Sequence, residues 1–243
     1  MRLLLLLTLV LLAADCSAQE RISQKTFPEI TLTNRIEFAD PQNNQPRFSC
    51  GFLLRHRNDT FAVTAKHLLK VIKTKEMNTV SFGRSITGWS LFSLSNPQQV
   101  VVADKLLNES KTQVLKDKAT FGEDWLVFSI RSNHSTIKPL EIRTTPLVPG
   151  EKLYVVGWTR HMESGPQRVY EFSYYKTVGN RILLKDLLVP EQFGGLSGAP
   201  LVDEQGLVVG IVSNGTEDGG KKYFSPCSVT GLAAFLEKNQ LAK

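Results

Sequence analysis

Apolar residues in this chain come in short runs, and nearly every run is closed by Gly, Pro, Asn or Asp. From Ile30 onward this punctuation continues almost without interruption, and sustained 3.6-residue periodicity is nearly absent until the C-terminus. Runs of this length bounded by turn residues read as strands. One set comprises Ser49–Leu54, Thr60–Ala65, Thr79–Phe82, Trp89–Leu94, Val100–Ala103 and Trp125–Ile130. A second comprises Lys152–Trp158, Arg168–Val178, Ile182–Val189, Ala199–Val202, Leu207–Ser213 and Lys222–Cys227. So many short strands predict an all-β barrel or sandwich. The stretch Arg131 to Gly150, with Thr145-Pro146-Leu147-Val148-Pro149-Gly150 inside it, reads as the crossing between two β domains of similar size. A helix is expected only at the end, where Thr230 is a candidate cap and Leu232, Phe235 and Leu236 stand at i, i+3, i+4. A short helical turn is also expected over Leu68–Ile72.

The N-terminus has its own character. Arg2 precedes an almost wholly apolar segment from Leu3 to Ala14, and small residues Cys16-Ser17-Ala18 follow, the pattern of a secretory signal peptide cleaved after Ala18. The segment is too short to span a bilayer. Cys16 admits a rival reading, lipidation at a lipoprotein cleavage site, although Asp15 stands where such sites carry a small residue. An exported chain, periplasmic or extracellular, is therefore expected. Residues 19–29 read as a loose polar arm. Four Asn-X-Ser/Thr triplets, at Asn58, Asn108, Asn133 and Asn214, fit the N-glycosylation pattern.

The formal net charge is +6, but Lys and Arg are scattered and no basic stripe interleaved with aromatics is present, which argues against a nucleic-acid partner. No pair of His, Cys or acidic residues has zinc-ligand spacing. After cleavage only Cys50 and Cys227 remain, too few for a disulfide framework.

Chemistry concentrates in three places. Gly194-Gly195-Leu196-Ser197-Gly198-Ala199-Pro200 sets a serine among glycines, whose freedom at positive φ lets a turn aim two backbone N–H groups at one point. The alternative is a plain glycine-rich hairpin connection. Of the four histidines, His67 ends an apolar strand, a rigid place from which to present a side chain, whereas His56, His134 and His161 lie in polar connections. Asp124 opens the strand Trp125–Ile130, and a carboxylate at a buried strand mouth needs a donor such as a histidine N–H. Asp104, Asp117 and Glu123 are its alternatives. Histidine, aspartate and serine in this order, with no histidine after Ser197, exclude the α/β-hydrolase arrangement, in which the histidine follows the serine.

Thr64-Ala65-Lys66-His67, Asp124-Trp125-Leu126-Val127 and Gly195-Leu196-Ser197-Gly198-Ala199-Pro200 resemble the three signature segments of the chymotrypsin/trypsin-like serine peptidases, in the family's order and 57 and 73 residues apart. The resemblance implies two perpendicular six-stranded β-barrels with the site in the cleft between them, over residues 30–135 and 151–243 with a linker at 136–150. It implies a catalytic triad of His67, Asp124 and Ser197, an oxyanion hole from the N–H groups of Gly195 and Ser197, and no metal or cofactor. Ser213-Asn214-Gly215 resembles the edge that pairs with an extended substrate. By position relative to Ser197, Glu191 and Gln192 fall near the base of the primary pocket. Phe224 falls on its wall, where glycine opens the slot in trypsin. Two departures stand out. Leu196 occupies the place of the aspartate that serves zymogen activation, so the chain resembles the exported, bacterial-type branch without that switch. Cys50 matches a family cysteine whose usual partner is replaced by Leu68, leaving either a Cys50–Cys227 bond or two unpaired buried thiols.

The expectation is thus an exported serine endopeptidase acting on polypeptides through an acyl-enzyme, with no nucleic-acid partner and no stable membrane span. Its rivals are a catalytically weak trypsin-like module that binds a protein partner and an esterase using the same three residues. Nothing in the sequence bears on oligomeric state.

Overall fold

The apolar runs form strands because most of them are buried on both faces. The computed structural model describes residues 23–240. Within it the strands are β1 (Thr31–Phe38), β2 (Gln45–His56), β3 (Asp59–Thr64), β4 (Thr79–Val80), β5 (Ile86–Phe92), β6 (Val100–Leu106), β7 (Ser110–Val114) and β8 (Leu126–Asn133). They continue as β9 (Lys152–Gly157), β10 (Arg168–Val178), β11 (Arg181–Leu188), β12 (Pro200–Val202), β13 (Val208–Ile211), β14 (Thr216–Asp218), β15 (Lys221–Tyr223) and β16 (Cys227–Ser228). Helix α1 is Leu68–Ile72 and α2 is Thr230–Gln240. Two closed antiparallel barrels result, in the orders β1-β2-β3-β8-β6-β5 and β10-β11-β16-β13-β12-β9, with β4–β7 and β14–β15 as separate pairs.

Successive strand residues point to opposite faces. On β2, Leu53 enters the core of the first barrel while Phe52 and Leu54 face the second. On β8, Leu126 and Phe128 point inward and Val127 outward. The second barrel mirrors this: Leu153 and Val155 of β9 fill its interior, and Tyr154 and Val156 meet the first barrel. The inter-barrel core is closed by Leu232 and Leu236 of α2, with Phe235 packed alongside. At about 25 cal/mol per Å² of apolar surface, this shared layer holds the two barrels in one geometry, which a site between them requires.

Strand β1 escaped the sequence reading because Thr31, Thr33 and Asn34 interrupt its apolar pattern. All three are buried and satisfied: Thr31 Oγ1 donates to Val156 O at 2.7 Å, Thr33 Oγ1 to Ser49 O at 2.8 Å, and Asn34 Nδ2 to Phe48 O and Cys50 O at 2.9 Å each. The expected strand at Lys222–Cys227 is instead split between β15 and β16, and β7 and β14 are further additions. Helix α1 spans the expected residues. At the start of α2 the Thr230 N–H is satisfied by Ser228 Oγ at 3.2 Å, so the capping hydroxyl lies two residues earlier than expected.

Residues 23–29 are not a loose arm. Ser23 N donates to Val169 O at 3.0 Å, Phe27 packs edge-on against Tyr154, and Glu29 accepts from Ser93 and Ser95 at 2.6 Å each. The signal-peptide segment and Cys16 lie outside the described residues. Among the described residues no helix is long and apolar enough to cross a membrane.

Candidate active site

His67 is placed by what precedes it. Thr64 ends β3 with its hydroxyl on Cys50 O at 2.6 Å. Lys66 is buried, its ammonium donating to Thr120 O at 3.1 Å and Gln113 Oε1 at 3.2 Å and lying over the Trp125 ring. Desolvation lowers the pKa of Lys66, opposed by the charges of Asp124, Glu123 and Cys227. With its neighbour anchored, His67 leads into α1 with its ring in the cleft.

Asp124 is fully buried just ahead of β8, after a 3₁₀ turn at Lys118–Phe121 capped by Asp117, whose carboxylate accepts from Ala119 N at 2.8 Å. One oxygen of Asp124, Oδ1, accepts the His67 backbone N–H at 2.7 Å; Oδ2 lies 2.6 Å from His67 Nδ1 and also accepts the Ser213 hydroxyl. Burial alone would raise the pKa of Asp124. The hydrogen bond and charge of His67, the Ser213 hydroxyl and the His67 N–H outweigh it and hold the carboxyl below its ordinary range. Asp104 instead pairs with Arg131 at an exposed position, and Asp117 is spent as a cap.

Ser197 Oγ stands 2.9 Å from His67 Nε2. Its turn is held by backbone: Leu196 N to Phe193 O at 3.1 Å, Ala199 N to Leu196 O at 2.8 Å, Gly198 N to Val212 O at 2.9 Å, and Arg160 N to Gly194 O at 2.6 Å. One bond ties it to the first barrel, Cys50 N to Ser197 O at 2.9 Å. Two glycines are required here. Gly195 has φ +100° and Gly198 φ +83°, and a Cβ would strike Arg160 backbone at the first and Cys50 O and Thr64 Oγ1 at the second. With the Gly194 carbonyl turned away to Arg160, the N–H groups of Gly195 and Ser197 have no backbone acceptor among the described residues. Leu196 is fully buried in the core of the second barrel, so apolar packing holds the turn where an aspartate would take part in an activation switch.

The structure therefore brings His67, Asp124, Ser197 and the Gly195 and Ser197 amides together. The other candidates divide. Ser213 is buried and its side chain backs Asp124; Asn214 and Gly215 are exposed beside it. Glu191 is exposed, and Gln192, also exposed, has its Oε1 3.0 Å from His161 Nε2. Phe224 stacks on Phe193 with centroids 4.6 Å apart and on Phe172 at 4.9 Å. His56, read from the sequence as lying in a polar connection, is 3.2 Å from Glu237 of α2. Cys50 and Cys227 are both free and buried, and burial pushes the Cys50 thiol up to about 12.

Sequence reasoning missed Arg181. Its Nη1 donates to Ser213 Oγ at 2.6 Å and its Nη2 to Phe121 O at 2.7 Å. A guanidinium can only donate, so Ser213 Oγ must accept from it and spend its own single O–H on Asp124. No local signal marks Arg181, which follows a tight Gly179-Asn180 turn like any surface residue. The Thr159-Arg160 loop was likewise unmarked; it forms one wall of a cleft of about 290 Å³ with His67, Ser197, Arg47 and Ser49.

The model of the trypsin family matches residues 34–236. The chain belongs to the trypsin family. Its activity class is accordingly that of the trypsin-like serine endopeptidases, which are hydrolases. No curated protein matches it in sequence. Among solved structures it is similar to neuropsin, a serine protease expressed in the limbic system of mouse brain, at 17% identity with a TM-score of 0.59, over 86% of this chain and 93% of that one. That likeness is one of fold.

Proposed function

We propose that this trypsin-family protein is an exported endopeptidase that cuts polypeptides through a Ser197 acyl-enzyme. The observation that carries the reading is the position of the His67 imidazole, 2.6 Å from the Asp124 carboxylate on one side and 2.9 Å from the Ser197 hydroxyl on the other. With Nδ1–H donated to Asp124, the Nε2 lone pair faces Ser197 Oγ–H, so the neutral ring is in the tautomer a general base needs. Ser197 Oγ attacks the scissile carbonyl while Nε2 takes its proton. The carbonyl oxygen becomes an oxyanion, met by the N–H groups of Gly195 and Ser197. Asp124 stabilises the imidazolium, which then protonates the departing amine. Water repeats the sequence to free Ser197. Export rests on the leader at residues 1–18.

On this reading the acyl half of the substrate lies along Ser213-Asn214-Gly215, and the stacked rings of Phe193 and Phe224, with Phe224 at the position where glycine opens the slot in trypsin, favour a small side chain before the cut bond. The same stack favours a second reading, a trypsin-like module that binds a protein partner without cutting it. Parallel kinetics on a peptide mixture and on small-side-chain esters separate the readings. Peptide cleavage after small residues, lost in Ser197→Ala, is expected. Hydrolysis of esters alone would assign an esterase, and turnover of neither by folded protein would assign the binding module.

A further inference from the structure

Two arginines flank the reacting groups, on the side of Ser197 away from Ser213–Gly215. Arg47, half-buried on β2, donates its Nη2 to Arg160 O at 2.8 Å, and the exposed Arg160 side chain lies beside Gly194. Both line the cleft of about 290 Å³ that also contains His67, Ser197 and Gly195, and no carboxylate lines it. Neither is in an ion pair among the described residues. Arg47 uses one of its five donors on Arg160 O, so the cleft carries two uncompensated positive charges with the hydroxyls of Ser49 and Thr159 between strand and loop.

Which half of a substrate enters this cleft follows from the chemistry. The leaving amine receives its proton from His67 Nε2, so it departs on the imidazole side of Ser197. Asn214 and Gly215, along which the acyl half runs, contribute nothing to the lining, whereas His67 and α1 residues Leu68 and Val71 do. The cleft is therefore the leaving-group side.

Resting on the acyl-enzyme reading above, we infer that Arg47 and Arg160 select substrates with an acidic side chain in the first two residues after the cut bond. Arginine suits the task because its planar fork matches a carboxylate in two parallel hydrogen bonds. A partly exposed pair of this kind discriminates a carboxylate from its amide by about fivefold, and by less as salt rises.

Acyl transfer from p-nitrophenyl acetate isolates this side of the site, since an acetyl group needs no primary pocket. Ser197 Oγ takes the acetyl group and p-nitrophenolate leaves. Water then releases acetate, or an added amine attacks the acyl carbon, passes its proton through His67 back to Ser197, and departs as the N-acetyl amide. The experiment measures partition between acetate and amide for dipeptide amides carrying Asp, Glu, Asn, Gln or Lys at the first or at the second position, with Ser197→Ala as the background. The expected result is about a fivefold preference for Asp and Glu over Asn and Gln, lost in Arg160→Gln and turned toward lysine in Arg160→Glu. The partition ratio is internal to each protein, so a variant with less active enzyme still reports it, and reversal by charge is not an outcome of misfolding. Serine-dependent turnover with flat partition would overturn the inference and leave the hydrolase reading intact. No serine-dependent turnover by folded protein would overturn both.

Discussion

The first barrel delivers His67 and Asp124 from the ends of paired strands, and the polar atoms around them are mostly side chains with named partners: Thr64 on Cys50 O, Lys66 on Thr120 O, Asp117 as a cap. The second barrel delivers Ser197 on a turn held almost entirely by backbone bonds, two positive-φ glycines and one buried leucine. The proposed base and acid are thus positioned by side-chain chemistry, the proposed nucleophile and its oxyanion donors by backbone conformation. Few hydrogen bonds join the two halves of the site directly. They include His67 to Ser197, Cys50 N to Ser197 O, Asp124 N to Cys227 Sγ at 3.3 Å, Arg47 Nη2 to Arg160 O, and the Ser213 and Arg181 bonds that brace Asp124 and Phe121 O from the second barrel.

The two kinds of positioning respond differently to substitution. The largest effect is expected at Asp124→Asn, which keeps the shape but offers His67 Nδ1 a donor in place of an acceptor. A loss in kcat of about 10⁴ is expected from the wrong tautomer, measured on a peptide substrate with far-UV circular dichroism unchanged. The same variant tests the electrostatics. Because the folded pKa of Asp124 lies below its unfolded value, the ionised carboxylate contributes stability above about pH 4, and that contribution is lost as pH falls through the folded pKa. The denaturant stability difference between wild type and Asp124→Asn should therefore shrink in acid. A difference independent of pH would contradict the assignment.

Gly198→Ala probes the backbone half. Positive φ and collision with Cys50 O and Thr64 Oγ1 predict a loss of about 2–4 kcal/mol, read by urea unfolding, together with loss of activity. Full stability would show that the turn tolerates another conformation and that the contrast between the barrels is overstated. Arg181→Met is the mildest break. It leaves Ser213 free to rotate and Phe121 O without its donor, and a fall in kcat of about tenfold with KM little changed is expected. Partial recovery in Arg181→Lys would separate the charge from the fork; an unchanged kcat would make Arg181 a structural brace only.

The same contrast explains what could be read in advance. His67, Asp124 and Ser197 were legible because each is a polar residue at the boundary of an apolar run, where burial demands a reason. Ser197 also sits among glycines that a plain hairpin would not need at both positions. The barrels were legible as runs, but runs buried on two faces lose the alternation that marks strand direction, so ends shifted by a few residues. Strand β1 was hidden because Thr33 and Asn34 are polar residues used inside the core. Arg181 and Arg160 were invisible because their partners come from 60 and 113 residues away, at Phe121 and Arg47, and no local pattern encodes such meetings. The specificity surface was hardest of all. Glu191, placed near the pocket base by counting from Ser197, stands exposed, and the aromatic stack at Phe224 depends on how β11 meets the β15–β16 connection.

The central claim is that two barrels assemble one activated serine without a cleavage-driven switch. Its most direct test is labelling of the purified protein with a fluorophosphonate, read by intact mass and peptide mapping. The account predicts one equivalent of label on Ser197, formed without any activating cut and abolished in His67→Ala. A folded protein that takes no label, or takes it elsewhere, would contradict it.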